Sequence, residues 1–139
     1  MRRILLLAPL GLLFLTGPAV AQEDERETVT TKTGLQYVDL VVGDGPQARR
    51  GDNARVHYSG WFEDGSMFDS SRRRGQTFSF RIGRGQVIRG WDQGVVGMQI
   101  GGKRKLIVPS KLGYGKKGFN NVIPPNATLT FEIELVGLD

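Results

Sequence analysis

Polar and apolar residues alternate with a period of two near the carboxyl end of the chain. Leu129, Phe131, Ile133 and Leu135 fall on one face, and Thr130, Glu132 and Glu134 on the other. Successive strand residues point to opposite faces, so this pattern predicts a half-buried strand with one wet side. Lys103 to Val108 reads similarly, with basic side chains near its entry and Leu106 and Val108 inward. Leu35 to Val42 and Ala54 to Phe62 also have strand character, as does Thr77 to Ile82, where Phe78 and Phe80 alternate with polar neighbours. Gly43-Asp44-Gly45-Pro46 and Glu63-Asp64-Gly65-Ser66 separate these runs as turns.

One segment breaks the β pattern. Between Gly85 and Met98, Ile88, Trp91 and Val95 recur at helical spacing, and Gly94 and Gly97 keep such a helix short. The pattern therefore predicts an α+β domain, an antiparallel twisted β-sheet of about five strands wrapped around one short α-helix.

The strongest hydrophobic run lies outside this domain. Arg2 and Arg3 precede the apolar stretch Ile4 to Leu15, and Ala19-Val20-Ala21 follows before the acidic Glu23-Asp24-Glu25. That order is a secretory signal peptide, cleaved after Ala21. A retained anchor is the alternative, but about a dozen apolar residues fall short of the roughly 20 that a bilayer core of about 30 Å requires. The chain thus divides into a signal peptide (1–21), a flexible polar tail (22–33) and one domain (34–139), with no membrane association after cleavage. A periplasmic or secreted location follows.

Composition narrows the chemistry. There are 19 basic and 14 acidic residues, and two of the basic ones are Arg2 and Arg3 in the leader. The remaining excess is too small to argue for nucleic acid, even with Arg72-Arg73-Arg74 near Phe78 and Phe80. The absence of cysteine rules out disulfides, thiol nucleophiles and cysteine zinc sites. His57, the single histidine, reads as structural, and no metal or cofactor is expected. Gly83-x-Gly85 lacks the later glycine of a dinucleotide loop.

Five ordered motifs then carry a resemblance. Val56-His57-Tyr58-Ser59-Gly60 resembles the V-H-Y-T/S-G strand of FK506-binding-type (FKBP) peptidyl-prolyl cis/trans isomerases. Asp64-Gly65, Phe68-Asp69-Ser70-Ser71 and Arg74 follow at that family's spacing. Val87-Ile88-Arg89-Gly90-Trp91 is similar to its V-I-x-G-W helix. Gly113-Tyr114-Gly115 and Val122-Ile123-Pro124-Pro125-Asn126-Ala127-Thr128-Leu129 resemble its tip loop and last strand. The match runs from about Gly34 to Leu138.

The resemblance implies an aromatic pocket. Trp91 would form its floor, with Tyr58, Phe68, Phe78, Val87, Ile88, Tyr114, Ile123 and Phe131 as walls, Gln86 and Phe119 at the rim, and Val122 among the substrate-binding residues. Asp69 is expected to pair with Arg74 and the Tyr58 hydroxyl. The Ile88 amide and the Tyr114 hydroxyl would hold substrate carbonyls. Gln86 stands where an acid is common, and Phe119 where a histidine is common. The resemblance also implies proline-containing unfolded or folding polypeptides as substrates, macrolides of the FK506 and rapamycin type as ligands, and a monomer.

Those residue types suit X-Pro rotation. The barrier, about 18–20 kcal/mol, comes from amide resonance, so no nucleophile is needed. A dry aromatic pocket penalises the dipolar planar amide more than the less dipolar twisted one. On composition alone Trp91, Phe78, Phe80 and Phe131 would simply be core; the motifs move all but Phe80 to the pocket. The rival reading is a module of the same fold that binds proline-containing segments as chaperone or adaptor, with incidental catalysis.

Overall fold

The computed structural model describes residues 26–139, so the expected signal peptide and its cleavage point lie outside the described residues. Seven strands form one antiparallel sheet: β1 (Thr28–Thr30), β2 (Gln36–Val41), β3 (Asn53–Trp61), β4 (Met67–Ser70), β5 (Phe78–Arg81), β6 (Lys103–Val108) and β7 (Leu129–Leu138). Their spatial order is β1-β2-β6-β7-β3-β4. β5 lies against the first half of β3, from Asn53 to Val56, and β4 against its second half, from Ser59 to Trp61. Two short helices complete the fold, α1 (Ser71–Arg74) between β4 and β5 and α2 (Arg89–Gly94) before β6.

The period-two reading locates the core. In β7, Leu129, Ile133 and Leu135 are fully buried and Phe131 nearly so, facing Leu106 and Val108 of β6 and Val56 of β3. α2 crosses this face, and two glycines let it come close. A Cβ on Gly90 would lie 2.6 Å from Val108 Cγ1, and one on Gly94 would lie 2.8 Å from Leu106 Cδ1. Gly94 thus serves packing as well as limiting helix length. The approach buries Trp91 and Val95 against the sheet.

Three features differ from the sequence reading. The expected tail already contains β1, where Thr28-Val29-Thr30 pairs with Gln36, Tyr37 and Val38 of β2. Three successive β-branched residues suit the open edge of β2, and Thr33 Oγ1 then donates to Gln93 Oε1 of α2 at 2.6 Å. The sheet also has seven strands, because β1 and β4 are too short to show a period of their own.

Arg104 is the third difference. It points inward with Leu106 and Val108 and is 7% exposed. Its Nε donates to Asp39 Oδ1 at 2.7 Å, and its guanidinium lies 4.2 Å from the centre of the Tyr37 ring. Nη1 donates to the carbonyls of Gly94 and Val96 at 3.0 and 3.1 Å. These are carbonyls at the carboxyl end of α2, where a cation is stabilised by the helix dipole. Arg104 therefore fixes the end of the helix that carries Trp91.

Candidate active site

The middle of β3, the end of β4, the segment from Phe78 to Trp91, and Tyr114 and Phe131 enclose an open cleft of about 230 Å³. Its lining contains Tyr58, Phe68, Asp69, Phe78, Gln86, Val87, Ile88, Trp91, Tyr114 and Phe131. Trp91 is buried at its base. Tyr58 meets Trp91 edge to face at 4.9 Å between ring centres, and Phe131 does so from the other side at 5.4 Å. Phe78 and Phe68 extend the wall through edge-to-face contacts with Trp91 and Phe131, at 6.0 and 5.8 Å. Such pairs lock ring orientation in addition to burying area. Gly60 makes room for them, since a Cβ there would lie 2.7 Å from Phe68 Cζ and 3.0 Å from Phe131 Cε1.

One brace organises the polar side. The Ser70 side chain accepts the Arg73 amide and starts α1, and Gly75 ends it in a left-handed conformation with φ of 71°. This single turn brings Arg74 back over Asp69. Arg74 Nη1 donates to Asp69 Oδ1 at 2.5 Å, Nη2 donates to the Tyr58 hydroxyl at 2.9 Å, and that hydroxyl donates to Asp69 Oδ2 at 2.5 Å. The Ser70 amide adds a fourth bond, to Oδ1. Burial pushes the Asp69 carboxyl up, but the bonds from Tyr58 and Arg74 outweigh it and hold the group below the ordinary carboxylate value. For Tyr58, burial and then the bond to Asp69 raise the hydroxyl above the usual phenol range. Tyr114 is raised by burial first and by the Asp69 charge second. Both phenols are therefore donors at neutral pH.

Behind the brace, Ser71 is fully buried. Its Oγ accepts the Tyr58 amide at 2.8 Å and lies 2.9 Å from His57 Nδ1. His57 thus has a structural partner, and Ser71 fastens α1 to the strand that carries Tyr58. The sequence reading missed this residue, which only the pairing of β3 with β4 reveals.

Ile88 precedes α2 in extended conformation, with φ of −59° and ψ of 153°. Its carbonyl accepts the Trp91 and Asp92 amides. Its own N–H has no partner among the described residues, as a residue at a helix start commonly does not.

Not every expected residue lines the cleft. Arg74 acts on it only through Asp69 and Tyr58. Phe119 is half exposed and stacks on Tyr114 at 5.0 Å, backing the tip loop. Val122 and Ile123 border a neighbouring open groove of about 770 Å³ beside Phe62, Pro124 and Pro125. The turn after Phe119, with Asn120 and Asn121 at positive φ, carries them there. Phe80 packs in the core at 2% exposure. Conversely, Gln86 does line the cleft, and its Oε1 accepts the Arg81 amide at 2.9 Å.

The family model for FKBP-type peptidyl-prolyl cis-trans isomerases matches residues 45–136, from the turn after β2 to near the end of β7. The chain belongs to the FKBP family. An FK506-binding protein of Neisseria meningitidis serogroup B is 53% identical over 103 residues, 74% of this chain and 94% of the relative. The peptidyl-prolyl cis-trans isomerase Fkbp12 of Drosophila melanogaster is 47% identical over 107 residues, 76% of this chain and 99% of that one. The crystal structure of FkpA from Escherichia coli superposes with a TM-score of 0.77 at 39% identity, covering 86% of this chain and 55% of that one. The FKBP fold thus accounts for the sheet and α2, and the isomerase activity of the family places X-Pro bonds among this protein's substrates.

Proposed function

We propose that this FKBP accelerates X-Pro rotation by desolvation and transition-state binding in the aromatic cleft, without a covalent intermediate. The observation that carries the reading is a set of interlocked rings beside two donors, the Ile88 N–H and the Tyr114 hydroxyl, that have no partner among the described residues, with the carboxylate of the lining, Asp69, already engaged. The rings grip proline and exclude water, which disfavours the planar amide relative to the twisted one. The two donors hold the flanking backbone while the prolyl bond turns. Asp69 orients Tyr58 and accepts no substrate proton. Uncatalysed rotation takes roughly tens to hundreds of seconds, and lowering the barrier by about 5–8 kcal/mol would give about 10⁴–10⁶-fold acceleration.

The clients proposed are exported polypeptides during folding, supported by the leader pattern of residues 1–21. Amino-terminal sequencing of protein recovered from the cell envelope and medium tests this: a start at Gln22 supports it, and an intact Met1 in the cytoplasm refutes it. Activity is tested by the cis-to-trans rate of a Leu-Pro peptide, with and without a macrolide. Acceleration that the macrolide abolishes places turnover in this cleft. A folded protein without acceleration would leave the proline-segment binding module as the better reading.

A further inference from the structure

The cleft is small for a polypeptide. Its volume of about 230 Å³ lies below the roughly 300–1,000 Å³ of ordinary ligand sites, so the chain on either side of the prolyl bond must run over the surface. The open groove of about 770 Å³ lies next to it. One ring contact joins the two: Phe68 lines the cleft, Phe62 lines the groove, and their ring centres are 4.8 Å apart.

Both walls of this groove are pre-formed. On one side the turn between β3 and β4 closes on itself. The Phe62 amide donates to the Ser66 carbonyl at 2.9 Å, the Gly65 amide donates to the Phe62 carbonyl at 3.0 Å, and Asp64 Oδ1 accepts the Ser66 amide and hydroxyl. On the other side the Phe119 and Ile123 main chains exchange bonds of 2.9 and 3.0 Å, and the Asn126 amide donates to the Gly115 carbonyl at 2.8 Å. Gly118 permits this closure, since a Cβ there would collide with the Ile123 carbonyl oxygen. An occupant therefore gives up its own freedom without having to order the protein.

The lining is mainly apolar. Phe62, Ile123, Pro124, Pro125 and Ala127 supply it, and Val122 beside them is 52% exposed. Glu63 and Asp64 stand on one wall and Lys117 on the other, so the groove carries no strong field of one sign. Pro124 and Pro125 have no N–H, which prevents a full row of main-chain bonds to an occupant. Side-chain burial is left as the means of holding it.

We infer that the groove is a second subsite for the client, taking an uncharged apolar stretch of the same chain whose proline sits in the cleft. At roughly 3.3 Å per extended residue, that stretch begins about two to four residues from the proline. The inference rests on the isomerase reading and assigns no preference to the residue next to proline.

The test uses three peptides built on one Leu-Pro centre: a tetrapeptide, a longer peptide extended on both sides with alternating Val and Ser, and one of equal length extended with Gly and Ser. The wild-type kcat/KM for the Val peptide should exceed the other two by roughly ten-fold, the effect of partly burying one or two aliphatic side chains. Pro125→Glu and Thr128→Glu each place a charge in the groove. Each should remove the advantage and leave tetrapeptide turnover at the wild-type value, which also shows that the variant is folded. Equal turnover of the three peptides, with Leu-Pro still accelerated, overturns the subsite and leaves the isomerase standing. An advantage that survives in a folded variant places the extension elsewhere and overturns it too. Self-association in sedimentation that Pro125→Glu abolishes would give the groove to a second copy of the chain instead. If no peptide is accelerated, the isomerase reading falls, and calorimetric titration of the two long peptides decides the subsite: tighter binding of the Val peptide supports it, and equal affinities overturn it.

Discussion

Gly90 of α2 faces Val108 of β6 with no room for a methyl group between them, the nearest valine carbon being 2.6 Å from where a Cβ would stand. Val108 is β-branched and cannot easily rotate away. Gly90→Ala is therefore expected to destabilise the fold by about 1–3 kcal/mol through overpacking and to lower kcat/KM by lifting Trp91 off the sheet. Gly94→Ala meets the more flexible Leu106 and should cost less. Chemical denaturation of the two variants checks the order.

Tyr114→Phe removes one hydroxyl and keeps the ring stacked on Phe119. A hydrogen bond of about 0.5–1.5 kcal/mol corresponds to a drop in kcat/KM of roughly 2–10-fold. Stability should change little, because the Tyr114 hydroxyl has no protein partner among the described residues. A loss of stability as large as the loss of activity would contradict the assigned role.

Asp69 sets an acid limit. Its folded value lies below the ordinary 3.8, so its ionisation contributes stability that is fully present above that value. The contribution is lost as pH falls through the lower folded value. Unfolding midpoints measured across this range should decline less steeply for Asp69→Asn than for the wild type. Between about pH 5 and pH 8 Asp69 stays ionised and both phenols stay protonated, so these three groups leave the rate flat there.

Arg104→Met keeps bulk beside Tyr37 but leaves the Gly94 and Val96 carbonyls without their donor. The expected cost is about 1–3 kcal/mol. Arg104→Lys retains the charge yet cannot reach Asp39 and both carbonyls with one ammonium, and should recover only part of the loss. Thermal unfolding of the pair, in a Trp61→Phe background so that Trp91 emission is a local report, separates the two contributions.

These residues also show where the sequence was readable. Long strands with one wet face declare themselves, as in β7, where each residue's side follows from its parity. The helix carrying Trp91 was visible from Ile88, Trp91 and Val95 alone. Arg104 was not, because its burial depends on Asp39, Tyr37 and helix-end carbonyls remote in sequence. β1 and β4 were hidden because three or four residues carry no period; their state is set by the partner strand. In the cleft, the aromatic floor came from ordered motifs rather than composition, which would have placed every ring in the core. Gln86 looked incidental until the Arg81 amide occupied its oxygen. Val122 and Ile123 were displaced from the lining by a turn whose asparagines adopt positive φ, a local choice that hydrophobicity does not encode.

β3 has neighbours on both sides, β7 along one and β4 and β5 end to end along the other. A sheet that frays from its margins gives up β1 early and this strand late. Tyr58 sits near the middle of β3, so one wall of the cleft belongs to the last part of the molecule to melt. Amide exchange should accordingly be slowest in β3 and β7 and fastest at Thr28 to Thr30. A foldase built this way can lose its amino-terminal edge under the stress that unfolds its clients and still keep the surface on which it works.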